Sequence, residues 1–127
     1  MYRVEISSSA RQSFHVKSKG HEFTIDSKGE EGITPPDVLL ASLASCVGVY
    51  IRKYIEGAKL EISQFSVSAE ADFSSEAPIC FKKINVSVDL KGVKLDERRL
   101  KAMSEFIKKC PIHNTLKNDP EVDIKIS

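Results

Sequence analysis

From Thr34 to Gly57 the chain reads TPPDVLLASLASCVGVYIRKYIEG, one helical segment that is apolar nearly all round. Thr34 is the expected N-cap, Pro35 takes the first helical position, Asp37 answers the cap three residues on, and Gly57 supplies the stop. Leu39, Leu40, Leu43, Ala44, Val47, Val49 and Ile51 leave little wet face before Arg52 and Lys53, so burial on every side is expected. The core of this run, Val38 to Ile51, is broken by Ser42 and Ser45 and falls short of the roughly 18 apolar residues of a membrane span. It reads as a core helix.

Short strands surround it. Tyr2, Val4 and Ile6 alternate with polar residues, and Phe14 to Ser18 and His21 to Asp26 follow as two further strands about a Lys19-Gly20 turn. After the helix, Phe65, Val67, Ala69 and Ala71 alternate within Leu60 to Phe73, and Ile84, Val86, Val88 and Leu90 within Phe81 to Leu90. These predict two long antiparallel strands joined by the SSEAP loop. Leu100, Met103, Phe106 and Ile107 predict a second helix from Leu95 or Asp96 to Lys109, interrupted by Pro111, and Val122 to Ile126 predicts a closing strand. The class is α+β in a single domain over residues 1–127. So few short strands can cover only part of a helix roughly 30 Å long, and a second copy is expected to cover the rest as an obligate homodimer.

Charge excludes some functions. Lys and Arg number 19 against 18 Asp and Glu, and the cation pairs are scattered, so no nucleic-acid footprint is expected. The opening residues have no apolar signal-peptide core, which predicts a cytoplasmic protein with no membrane association. In a reducing compartment three cysteines do not make a disulfide framework; redox, metal or packing roles remain.

Cys46 lies mid-helix with Leu39, Leu43 and Tyr50 on one face. A cysteine there is ordinarily a small hydrophobe, and at a reference pKa near 8.5 few such thiols are ionised at neutral pH. Reactivity would need a cation. Lys53 stands seven residues along, about 10 Å on the axis, Arg52 points elsewhere, and Arg11, just before the second strand, is the better candidate. Cys110 precedes Pro111, which biases it out of helical geometry. If PIHNTLK begins a further turn, Cys110 caps it and a thiolate is favoured; if it only ends the preceding helix, the dipole opposes one. Cys80 reads as packing or surface, and His15 and His21 as surface residues. A Cys3His zinc site with His113 has only the CPIH pair at close spacing and is set aside; neither metal nor other cofactor is expected. Asn85-Val86-Ser87 matches a glycosylation pattern without relevance in the cytosol.

PPDVLLASLASC, followed about sixty residues later by KKCPIHNTL, resembles the OsmC/Ohr family of osmotically inducible and organic hydroperoxide resistance proteins. The resemblance rests on Pro35, Asp37, Leu39 to Ser45, Cys46 and Cys110-Pro111, and is closest to a divergent OsmC-like branch. It implies antiparallel sheets around a long central helix in an intertwined homodimer, and a thiol peroxidase that reduces organic hydroperoxides with electrons from a dithiol or lipoylated protein. Carried over, Cys46 attacks the peroxide, Cys110 resolves the sulfenic acid, and Arg11 stabilises the thiolate. The family's glutamate partner for that arginine falls on Pro36, and Asp37, on the opposite side of the helix from Cys46, is expected to serve the cap. Two other readings stand beside the peroxidase: a non-catalytic protein of the same fold holding a small apolar ligand at the dimer interface, and a thiol redox sensor.

Overall fold

The computed structural model describes residues 1–8 and 11–127. Two compact units, Met1–Ala41 and Ser42–Ser127, divide the chain within its long helix.

In the N-terminal unit, β1 (Glu5–Ser8), β2 (Phe14–Ser18) and β3 (His21–Ile25) form an antiparallel meander in that order. Ser18 pairs with His21, and the two residues between them, Lys19 and Gly20, take φ of 49° and 82°. This is the left-handed two-residue turn whose twist suits a hairpin. Ile6, Val16 and Phe23 face one another across the three strands, and Val16 is buried. Tyr2 and Val4 lie ahead of β1 and are exposed, so the first strand is shorter than its alternation suggests. His21 is exposed as expected, whereas His15 is half-buried, with its Nε2 3.2 Å from Glu22.

The polar loop after β3 is organised by one buried carboxylate. Asp26 accepts hydrogen bonds from the backbone N–H groups of Lys28 (3.0 Å), Glu30 (3.2 Å) and Glu31 (2.9 Å), and from Gln12 Nε2 (2.8 Å). Its own N–H donates to the Ile33 carbonyl at 3.1 Å, and Ile25 and Ile33 form a parallel bridge. The loop is thus folded back onto β3 and delivers the chain to α1 (Pro35–Gly57). There the Asp37 N–H donates to Thr34 Oγ1 at 3.3 Å, and that hydroxyl donates to Asp37 Oδ2 at 2.7 Å. Asp37 serves the cap.

Helix α1 is 23 residues long, and its length and mean hydropathy of 1.5 match those of a membrane span. Its packing is that of a core helix on one stripe. Leu43, Val47, Ile51 and Ile55 join Ile62 and Met103 in the buried cluster of the C-terminal unit. One chain covers only part of the helix: Leu39 is 40 % and Val49 50 % exposed, because a single chain supplies packing partners for one face. The helix stop is corrected. Lys59, not Gly57, takes the left-handed conformation (φ 54°), with Leu60 N–H donating to Ile55 O (3.0 Å) and Lys59 N–H to Glu56 O (3.2 Å). That double bond pattern, with Leu60 tucked against the core, is a Schellman cap.

In the C-terminal unit β4 (Ser66–Glu70) pairs antiparallel with β5 (Asn85–Asp89). The two long predicted strands are interrupted: Phe73 and Phe81 make an isolated bridge, one residue out of register with Glu70↔Asn85, and their rings stack at 4.6 Å. Lys82 to Ile84 carry the extra residue, as in a bulge. Helix α2 (Glu97–Ile107) is capped by Asp96, whose Oδ1 accepts from Arg99 N at 2.8 Å. Phe106 sets α2 against α1, 5.8 Å from the ring of Tyr50 and 5.9 Å from that of Tyr54. A third helix, α3 (Pro111–Lys117), follows directly. The closing strand does not form. Val122, Ile124 and Ile126 are 74 %, 83 % and 94 % exposed and have no partner strand among the described residues. Alternation provides a strand's faces, and pairing needs a second edge.

Candidate functional site: two adjoining thiols

The α1 stripe that anchors the core also carries Cys46, half-buried, one residue before Val47. Cys110 is fully buried and stands at the junction of α2 and α3. Pro111 decides its geometry. With φ −56° and ψ 121°, Cys110 leaves helical space, and Pro111 opens α3 at a position where its missing N–H costs nothing. Cys110 therefore caps α3, the first of the two geometries open to it from sequence, and its Sγ accepts from the His113 N–H at 3.5 Å.

This turn brings the second sulfur to the first. Burial pushes the Cys46 thiol above its ordinary value, and its hydrogen bond to the Cys110 thiol and the repulsion between the two sulfurs act in the same direction. Two features oppose the shift: the Ile112 N–H, which donates to the Cys46 sulfur, and the positive charge of Lys53. The net direction is upward. Cys110 is thus near enough to act on the protonation of Cys46, and the groups of this unit together favour the protonated thiol.

Arg11 belongs to the N-terminal unit, at the bend before β2, and its guanidinium forms an ion pair with Glu31. Gln12 and Glu31 both bond to Asp26, so Arg11 is tied into the loop that Asp26 organises. Cys80 is exposed in the β4–β5 connection, where its N–H donates to Ser74 Oγ at 3.1 Å and its carbonyl accepts from the Ser74 N–H at 2.8 Å. Among the described residues no group of three His, Cys, Asp or Glu side chains converges to hold a metal. Sequence reasoning missed the Ile112 amide and passed over Lys53. The first had a signal, since a cysteine before a proline that opens a helix presents the next free N–H groups toward a neighbouring sulfur.

A family model described as OsmC-like protein matches residues 27–125. No curated protein matches the chain. Solved structures give the same fold: an OsmC-like protein from Mycoplasma pneumoniae superposes with a TM-score of 0.80 at 20 % identity, over 94 % of this chain and 89 % of that one. An organic hydroperoxide resistance protein from Legionella pneumophila gives 0.63 at 19 % identity over 94 % and 90 %, and one from Elizabethkingia anophelis gives 0.64 at 17 % over 94 % and 91 %.

Proposed function

We propose that this chain, which belongs to the OsmC-like protein family, is a cysteine-based thiol peroxidase that reduces organic hydroperoxides. The observation carrying the reading is that Cys110 lies near enough to Cys46 to shift its protonation. The family resemblance and the two relatives described as organic hydroperoxide resistance proteins support the substrate class.

In the proposed reaction the Cys46 thiolate attacks the distal oxygen of the hydroperoxide. The S–O bond forms as the O–O bond breaks, and the alkoxide takes a proton and leaves as an alcohol. The resulting sulfenic acid is attacked by the Cys110 sulfur, which expels water and closes a disulfide. A dithiol or lipoylated protein then supplies two electrons by thiol exchange and is itself oxidised. Arg11 is the proposed activating cation, and Lys53 and the Ile112 N–H are the groups that favour the Cys46 thiolate. A cytoplasmic homodimer of one-domain chains, covering the exposed Leu39 and Val49, completes the reading. Light scattering on the purified chain should give about twice the 14.1 kDa of the chain.

One observation favours a second reading. Burial holds Cys46 protonated, which suits a chain that keeps the fold and binds a small apolar ligand without turnover. Consumption of cumene hydroperoxide with dihydrolipoamide separates the two. The peroxidase reading expects turnover by the unmodified protein, none by Cys46→Ser, and oxidation arrested at the sulfenic acid in Cys110→Ser. Full turnover by Cys46→Ser would overturn it, and absence of turnover with a ligand carried through purification would support the second. Disulfide cycling without peroxide consumption would mark a redox sensor.

A further inference from the structure

One turn of backbone serves both thiols. Cys110 caps α3, the Ile112 N–H donates to the Cys46 sulfur, and the His113 N–H donates to the Cys110 sulfur at 3.5 Å. What the turn leaves over is the His113 ring, whose Nδ1 is buried and has no hydrogen-bond partner. A buried polar atom without a partner carries a desolvation cost that needs a reason, and catalysis or redox chemistry is one such reason. The described residues form no cluster of three ligands that would offer the ring a metal ion. The charged residues lining the cleft beside it are Lys82, Lys83, Lys108 and Lys117, and none is a carboxylate that could pair with it. Of the titratable groups on these elements, Cys110 is the one that must lose a proton when an oxidised Cys46 is resolved.

We propose that His113 is the proton-transfer residue of the resolving step: its Nδ1 accepts the Cys110 thiol proton as that sulfur attacks Cys46, and returns it to the group that Cys46 expels. A thiol attacks as its thiolate, and Cys110 is fully buried, away from the solvent that would otherwise take the proton. Position 113 suits the task because its own amide already contacts the Cys110 sulfur, which holds the ring a short side chain from the proton it accepts. The neutral ring must then carry its own hydrogen on Nε2, leaving the Nδ1 lone pair free. With a sulfenic acid on Cys46, the S–S bond forms as the S–O bond breaks, and the proton returned to the departing hydroxide completes a water molecule. No further reactant is consumed, and the imidazole ends as it began. The transfer applies to any closure of the Cys46–Cys110 bond; its place in peroxide reduction rests on the thiol peroxidase reading.

The test follows closure of that bond without a peroxide. A Cys80→Ser parent chain is given one equivalent of dipyridyl disulfide. Cys46 is half-buried and Cys110 fully buried, so the first thiopyridone released reports exchange at Cys46, and the second reports the attack of Cys110 that closes the disulfide. His113→Gln keeps both backbone donors and much of the ring's bulk but has no basic nitrogen. In it the second release should slow by about a hundredfold relative to the first, the low end of a general base's contribution. His113→Ala should slow likewise and recover in proportion to added imidazole, a response that a merely structural role would not give. A circular dichroism melt verifies the fold of each variant. A second release as fast in His113→Gln as in the parent would overturn the proposal, as would a slowing shared by both releases or one that imidazole does not relieve. Absence of the second release in the parent would remove the thiol pairing itself and the peroxidase reading with it, whereas closure that ignores His113 removes this inference alone. Failure of the cumene hydroperoxide assay leaves the result standing.

Discussion

Cys110 hydrogen-bonds to Cys46 and, through that bond and through charge repulsion, favours the protonated form of its neighbour. The resolving partner proposed here therefore restrains the nucleophile until it is oxidised. Replacing Cys110 with alanine removes both influences, and the Cys46 thiol should titrate at lower pH. The measurement is the pH profile of iodoacetamide alkylation in a Cys80→Ser background, since Cys80 is exposed and would otherwise contribute. A midpoint that stays in place or rises in Cys110→Ala would contradict the contact.

Lys53 acts in the opposite sense. Its charge favours the Cys46 thiolate from two turns along α1, about 10 Å on the axis. At that distance in a watery surrounding a unit charge contributes on the order of 0.4 kcal/mol. Lys53→Met should move the Cys46 midpoint upward and slow alkylation at neutral pH by about twofold. Its Nζ also lies 4.7 Å from the centre of the Tyr50 ring, so Lys53→Arg, which keeps charge and ring contact, should leave the profile in place.

Local chemistry was legible in the sequence, and non-local pairing was not. The Thr34 and Asp37 cap and the Lys19-Gly20 hairpin depend on residues within four positions of each other and formed as read, while α2, expected from Leu95 or Asp96 to Lys109, runs Glu97–Ile107 behind an Asp96 cap. Whether Cys110 ended α2 or capped α3 depended on whether PIHNTLK could hold a helix of its own, and the CP dipeptide left both open. The influence of Cys110 on Cys46 spans 64 positions, and Phe106 seats α2 on Tyr50 and Tyr54, neither of which a spacing rule encodes. At Gly57 the obvious residue misled, because the reverse turn falls two residues later, where Lys59 accepts a left-handed backbone so that Leu60 can reach the core. Val122 to Ile126 has a strand's alternation and no edge to join.

Asp26 makes the N-terminal unit sensitive to acid. Hydrogen bonds from the Lys28 and Glu31 amides, and further ones from Gln12 and the Glu30 amide, hold its carboxyl below the ordinary value of 3.8. The unfolded chain thus takes up this proton at higher pH than the folded one. The stabilisation is complete above the unfolded value and declines as pH falls below about 4 through the folded value. Asp26→Asn should lower the melting temperature at pH 7 and reduce the steepness of its decline between about pH 4 and pH 2. Equal slopes for the two proteins would remove Asp26 from the acid response.

Two glycines should respond oppositely to alanine, although both lie in ordered backbone. Gly48 sits inside α1, where glycine costs about 0.5–1 kcal/mol relative to alanine. A Cβ there would meet Phe65 Cε2 at 3.8 Å and Val67 Cγ2 at 3.9 Å, ordinary packing distances. Gly48→Ala should therefore raise the melting temperature by about 2–5 °C. Gly32 lies in the loop that Asp26 and the Ile25–Ile33 bridge fold against β3, and a Cβ would fall 2.4 Å from the Thr24 carbonyl oxygen and 2.8 Å from its carbon. Those are backbone atoms of a paired strand, Thr24 being opposite His15, so they cannot swing aside as a side-chain tip would. Gly32→Ala should destabilise by about 1–3 kcal/mol, the range of an overpacked site, and lower the melting temperature accordingly. Matched thermal melts of the two variants check both directions; a stabilised Gly32→Ala would mean that the loop does not lie against Thr24.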